Sequence, residues 1–308
     1  ISSLDQYRRI LSELEHSLKL MRDSFGVNLE SVVPQRDFFI SHEGLLLDYE
    51  SSLTHMTSEG GGFLNTGAHT LWIGERTRDL DGAHVDYFRG IMNPIAVKLG
   101  PLADPDEVLA LSKVLNPENT PGRLTLVPRM GAEHIADRLP PLIEILLRNK
   151  VNVCWSCDPM HGNTEILELP AGGKKPAIKQ KTRRFSKIAF EVTQTIQIHR
   201  SLGSILGGLH LELTSDPVRE CLGGHESVGA RDLISGYRSA CDPRLNRLQS
   251  LELAGRVGTL MAERKSFRGF ARISSDRGSV GQGSRKLGAL FITRSEDSHQ
   301  DDDSSLSF

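Results

Sequence analysis

The chain has 308 residues, a formal net charge of -2, and 38% hydrophobic against 25% charged residues. That balance belongs to a globular protein of one large or two small domains, and it excludes a disordered or collagen-like chain. No apolar run approaches the roughly 20 residues that span a bilayer, and a pI near 6.6 gives no basic field, so neither a membrane nor a nucleic acid is an expected partner.

At the amino end, Leu4, Tyr7, Leu11, Leu14 and Leu18 recur at helical spacing among charges, which predicts an amphipathic helical lead-in over residues 1–37. From about Phe38 to residue 265, short apolar runs alternate with helical patterns, the rhythm of βαβ units in an α/β fold. Strands are predicted at Leu71 to Gly74, Ile95 to Leu99, Leu124 to Val127, Val151 to Trp155, Gly208 to Leu213, and in a short run ending near Cys241. Asp104-Pro105-Asp106-Glu107 opens a helix with a cap, a first-turn proline and a glutamate three residues on. Pro140-Pro141 is expected to interrupt the next helix. Ser186 is expected to cap a helix striped by Ile188, Val192 and Ile196 that stops at Gly203. A last helix runs from about Leu245 to Leu260. Residues 165–180, rich in Gly, Pro and Lys, read as a loop. Residues 266–308, rich in Ser and Gly and ending with Asp301-Asp302-Asp303, read as a flexible tail.

Four cysteines are too few for a disulfide scaffold and read as reduced thiols of a cytoplasmic protein; a plastid location follows instead if a transit peptide precedes the sequence. Cys154 and Cys157, three apart on a strand, point to opposite faces and do not form a metal pair.

Charged groups end nearly every predicted strand: Glu75-Arg76, Lys98, Arg129, Asp158 with His161, Glu212 and Asp242. Parallel α/β folds build their sites at these carboxyl ends. His161, Glu212 and Asp242 offer one imidazole and two carboxylates, a donor set for Mn²⁺, Fe²⁺, Co²⁺ or Zn²⁺ acting as a Lewis acid. Arg76, Lys98, Arg129 and Lys181 add cations suited to phosphate and carboxylate, so the expected substrates are small and anionic. No GxGxxG, P-loop or readable Ser-His-Asp order is present.

Specific strings then matter: Ser41-His42-Glu43-Gly44-Leu45-Leu46-Leu47-Asp48-Tyr49-Glu50, Trp72-Ile73-Gly74-Glu75-Arg76-Thr77-Arg78, Arg129-Met130-Gly131, Asp158-Pro159-Met160-His161-Gly162-Asn163-Thr164, Glu220-Cys221-Leu222-Gly223-Gly224 and Cys241-Asp242-Pro243-Arg244-Leu245-Asn246. Together they resemble the class II, plant-type 3-deoxy-D-arabino-heptulosonate 7-phosphate (DAHP) synthases. The resemblance runs from about residue 38 to residue 263. It implies a (β/α)8 barrel of the TIM type, with about six of its eight βα units in this chain, that condenses phosphoenolpyruvate with erythrose 4-phosphate at the entry to the shikimate pathway. It implies His161, Glu212 and Asp242 as metal ligands, Mn²⁺ foremost. It implies Glu75, Arg76, Lys98 and Arg129 at phosphoenolpyruvate, Lys181 and Arg76 at erythrose 4-phosphate, and a homo-oligomer when full length. The family's fourth ligand, a cysteine on an earlier strand, has no counterpart in this chain. Three readings stay open: the larger part of a working synthase, a non-catalytic remnant or partner-binding module of the same fold, or a catalyst of another metal-dependent aldol-type reaction on a phosphorylated sugar.

Overall fold

In a computed structural model, the described residues are seven positions between residues 5 and 19, residues 38–58, 60–169 and 177–262, and the backbone of residues 291 and 292. They divide into two units, Ile1–Phe39 and Ile40–Phe308. In the first unit, Asp5, Arg8, Leu11, Ser12, Glu15, His16 and Lys19 have helical backbone and exposed side chains. Leu4, Tyr7, Leu14 and Leu18 lie outside the described residues, as does the predicted tail apart from the backbone of residues 291 and 292.

The second unit begins with strand β1 (Ser41–Glu43), a short helix α1 (Leu47–Ser52), and an antiparallel hairpin of β2 (Thr54–Met56) and β3 (Phe63–Asn65). Alternation follows: β4 (Thr70–Ile73), α2 (Ala83–Gly90), β5 (Ile95–Leu99), α3 (Pro105–Leu115), β6 (Leu124–Pro128), α4 (Ile135–Arg148) and β7 (Cys154–Cys157). A second hairpin, β8 (Thr164–Leu169) with β9 (Ile178–Arg183), precedes α5 (Phe185–Ser201), β10 (Leu206–Leu211), a single turn α6 (Leu233–Gly236), α7 (Arg247–Ala262) and a two-residue strand β11 (Phe291–Ile292).

The main sheet runs β1-β4-β5-β6-β7-β10-β11 with every pair parallel. Its spatial order is its chain order. Right-handed crossovers that always step the same way put the crossover helices on one face, which separates this sheet from a doubly wound one. On that face Leu71, Ile73, Ile95, Val97, Leu124 and Leu126 pack against Phe88, Val108, Leu111, Ile135, Leu139 and Leu142 of the helices in one buried core. The other face carries Trp72, Lys98, Thr125, Ser156 and His210, and it is covered by curling. The rings of Trp72 on β4 and His210 on β10 meet edge to face with centroids 5.1 Å apart. Three strands lie between them, so a flat sheet would hold these two strands about 19 Å apart at about 4.8 Å per step. The sheet is therefore a curled, parallel half-barrel.

Several expectations are corrected. No strand forms near Cys241; that segment makes only an isolated bridge from Leu245 to Leu213, because the Glu220 carboxylate takes the backbone N–H groups of Arg238, Ser239 and Arg244. The sixth parallel strand is β1 instead. The strand predicted at Val151 to Trp155 begins at Cys154. Pro140 and Pro141 do not interrupt α4, which runs through both, carried by Leu139, Leu142, Ile143 and Leu146 in the core. Arg184, not Ser186, precedes the first residue of α5, with no side-chain cap. Residues 165–180 are not a loop throughout: β8 and β9 pair over Thr164–Leu169 and Ile178–Arg183. The Asp104 cap is as expected, its carboxylate accepting from Asp106 N and Glu107 N.

Candidate functional site

Inward positions at the carboxyl ends of the strands converge. Lys98 lies near the end of β5, Arg129 follows β6, Asp158 follows β7 and Glu212 follows β10. The alternation that sends Val97, Trp155 and Leu211 toward the helices sends these polar neighbours the other way. Asp242 arrives from the loop that Glu220 gathers. The hairpin adds Lys181 and Arg183, two apart on β9 and so on one face of it.

His161, Glu212 and Asp242 each offer one donor atom, and these atoms all lie within 4.8 Å of one another. His161 Nε2 is 3.3 Å from Glu212 Oε1 and 3.8 Å from Asp242 Oδ2. An ion held at about 2.0–2.2 Å from each donor keeps donors no more than about 4.4 Å apart, so the triad needs only slight closure to share one. Its chemistry, one imidazole nitrogen and two carboxylates, suits a borderline divalent cation. His161 Nδ1 donates to Asp158 Oδ2 at 2.7 Å, which fixes the ring and leaves Nε2 toward the carboxylates. Burial would lower the His161 pKa, but Asp158 and Glu212 outweigh it and raise it from 6.5 to about 9. Burial would likewise raise Glu212, yet its hydrogen bond to His161 and the Arg183 charge bring it down to about 2.

Cations ring this cluster. Lys98 is buried, paired with Asp158 and 5.6 Å from the Trp72 ring centroid. Desolvation would raise the Asp158 carboxyl, but Lys98 and His161 hold it well below the usual range. Arg129 Nη2 donates to the His161 carbonyl at 3.2 Å, and Lys181 Nζ donates to Asp242 Oδ1 at 3.3 Å. Arg183 is fully buried, bonded to Glu212 and to the Pro243 carbonyl. Glu75 and the exposed Arg76 stand at the end of β4; the Glu75 carboxylate is engaged by Arg78 and the Gly100 N–H.

The structure thus brings His161, Glu212, Asp242, Lys181, Lys98 and Arg129 into one contiguous network. It keeps Glu75 and Arg76 on the neighbouring strand end. Sequence reasoning did not single out Arg183, nor Asp158 as the support of His161. The period-2 spacing of Lys181 and Arg183 was the available signal for the first, hidden by taking the hairpin for a loop. The i,i+3 spacing of Asp158 and His161 was the signal for the second.

A singly wound parallel sheet with a His, a Glu and an Asp gathered at the carboxyl ends of its strands, and Lys and Arg around them, defines a class of α/β protein that places its polar site at those ends. The sequence pattern of the Class-II DAHP synthetase family matches residues 2–258, and the chain belongs to that family. It is 45% identical over 251 residues to a phospho-2-dehydro-3-deoxyheptonate aldolase of Streptomyces coelicolor, covering 81% of this chain and 53% of that protein. A protein of the same name from Neurospora crassa is 43% identical over 265 residues, with 81% and 53% covered. Phospho-2-dehydro-3-deoxyheptonate aldolase AroG of Mycolicibacterium smegmatis is 43% identical over 266 residues, with 84% and 54% covered. The chain spans about half the length of these curated relatives. Among the described residues, no helix is long and apolar enough to cross a membrane.

Proposed function

We propose that this chain is the larger part of the catalytic barrel of a 3-deoxy-7-phosphoheptulonate synthase, which joins phosphoenolpyruvate to erythrose 4-phosphate and releases phosphate. The observation that carries the reading is the convergence of His161, Glu212 and Asp242 from three separate segments, with Lys98, Arg129 and Lys181 around them, in a chain of this family. His161, Glu212 and Asp242 would hold the divalent ion, Mn²⁺ foremost with Co²⁺, Fe²⁺ or Zn²⁺ compatible; a cysteine outside this chain would be the fourth ligand. When bound, that ion supplies a Lewis acid for the sugar aldehyde. Lys98 and Arg129 receive the carboxylate and phosphate of phosphoenolpyruvate, with Glu75 and Arg76 completing that site from the end of β4. Lys181 and Arg76 receive erythrose 4-phosphate.

In the reaction, C3 of phosphoenolpyruvate bonds to the aldehyde carbon, whose oxygen takes a proton. Water adds to the resulting cationic C2 and loses a proton; the C2–O bond to phosphate then breaks, phosphate leaving with the electron pair while the new C2 hydroxyl gives up its proton and becomes the keto group. Fixed cations suit this sequence because the anionic groups are held in register without reorganisation, and positioning supplies much of the rate. Strands outside this chain would complete the half-barrel to (β/α)8, and the full-length protein would form a homo-oligomer. In the full-length protein, phosphate release from phosphoenolpyruvate is expected only when erythrose 4-phosphate and a divalent metal are both present. Unchanged turnover in His161→Ala would overturn the assignment.

A further inference from the structure

One buried carboxylate lies behind the site and touches none of its binding groups. Glu191 sits on α5, fully buried, at a position where an apolar side chain is the ordinary filling. Its hydrogen-bond partners are uncharged: Oε1 accepts the backbone N–H groups of Met130 and Gly131, each at 3.0 Å, and Oε2 accepts Asn163 Nδ2 at 2.6 Å. Burial pushes its carboxyl up to about 7 against the pull of those bonds, and nearby Asp158 adds to the rise. A carboxylate kept at such a cost is kept for what it accepts.

What it accepts are two loops. Met130 and Gly131 follow Arg129 directly, and Asn163 closes the turn that begins at His161. Asn163 Oδ1 also accepts Ala132 N at 2.9 Å, and its Nδ2 donates to the Pro159 carbonyl at 2.8 Å. The loops lie backbone against backbone, since a Cβ on Gly162 would fall 2.4 Å from Gly131 N and 2.8 Å from Arg129 O. The placement of the Arg129 guanidinium relative to the His161 ring is therefore set by how these two loops are joined.

We propose that Glu191 is a positioning residue that fastens the Arg129 loop to the His161 turn and so fixes the anion-binding arginine against the metal-binding imidazole. The ligands of those two residues rest on the function proposed above; the clamp itself does not. The side chain suits the place because its ionised form is acceptor-only and faces three donors, whereas a glutamine would turn its own donor toward one of them.

The test compares Glu191→Gln with Val192→Ala in the full-length protein. Val192 is a buried neighbour on the same helix whose truncation destabilises by a cavity alone. The readouts are amide hydrogen exchange in peptides covering residues 129–132 and 160–163, Mn²⁺ affinity by calorimetry, and KM for phosphoenolpyruvate. Glu191→Gln is expected to speed exchange in both loops together while β5 stays protected, to weaken Mn²⁺ binding about tenfold, and to raise KM. Val192→Ala is expected to lower Tm and to move none of these. Exchange unchanged in Glu191→Gln, or faster in one loop alone, would overturn the clamp. If Glu191→Gln does not fold, Asn163→Ala removes one arm and is read by the same exchange criterion. Failure of the unmodified protein to bind Mn²⁺ would count against the proposed function, with loop exchange still deciding the clamp.

Discussion

At the scale of single residues, the site is a problem of placing charge where water is scarce. The cluster's own side chains favour a proton there: the His161 pKa is raised to about 9, which makes the ring an imidazolium at neutral pH between Asp158 and Glu212. An ion held there as proposed would need that nitrogen neutral, and so would displace the proton. Uptake is expected to release about one proton per ion at pH 7, with affinity rising about tenfold per pH unit until about pH 9. Calorimetry in buffers of different ionisation enthalpy measures the release directly, and none at pH 7 would contradict the pairing. Stability of the metal-free state follows the same groups with opposite signs. The His161 contribution is complete below its ordinary value of 6.5 and is lost as pH rises through about 9. The Glu212 contribution is present above its ordinary value of 4.5 and is lost as pH falls through about 2. Residue types were legible in the sequence because the chemistry of a cation site admits few of them. The partners Asp158, Arg183, Glu191 and Glu220 were not, because a buried carboxylate and a solvated one look alike until the donors around it are known.

At the scale of elements, legibility followed how local the determining interactions are. The start of α3 could be read from four residues, because Asp104 caps the amide groups two and three positions on. Asp104→Ala is accordingly expected to cost about 1 kcal/mol and to lower Tm by about 2–4 °C, while Mn²⁺ affinity stays unchanged; a loss of affinity would mean that α3 helps to shape the site. Where tertiary contacts decide, local signals mislead. Pro140 and Pro141 signal a break, yet the buried stripe of α4 holds the helix together across them. Gly and Pro near residue 170 signal a loop, yet β8 and β9 flank it and carry Lys181 and Arg183 to the carboxylates of Asp242 and Glu212. The short run before Asp242 reads as a strand, yet Glu220, far along the chain and fully buried, draws its backbone off the sheet. Three-residue β1 left too short a period to be seen at all.

At the scale of the molecule, the half-barrel is a fold whose edges ask for partners. Chain order equal to spatial order puts the crossover helices outside and leaves the inner face to be covered by curvature, as the contact of Trp72 with His210 shows. β1 pairs with β4 alone among the described residues. Gly44 N donates to the Trp72 carbonyl, so by alternation His42 faces β4 while Ser41 and Glu43 turn their backbone groups away from it. In the segments that flank β1 along the chain, Leu46, Met56, Tyr49 and Ile40 are 69%, 65%, 57% and 51% exposed, an apolar rim of the kind that invites covering. If further strands of the full-length protein close the barrel, one of them pairs with β1, and the Ser41 and Glu43 amides become as slow to exchange as those of β5. In residues 1–308 alone the same amides are expected to exchange quickly, and the rim to bind a hydrophobic dye. Hydrogen exchange on both forms separates the cases: equal, fast exchange at Ser41 and Glu43 in the full-length protein would mean that the sheet stays open, and the cluster of Lys98, Arg129 and His161 would then lack the wall that would keep water from the reaction proposed above.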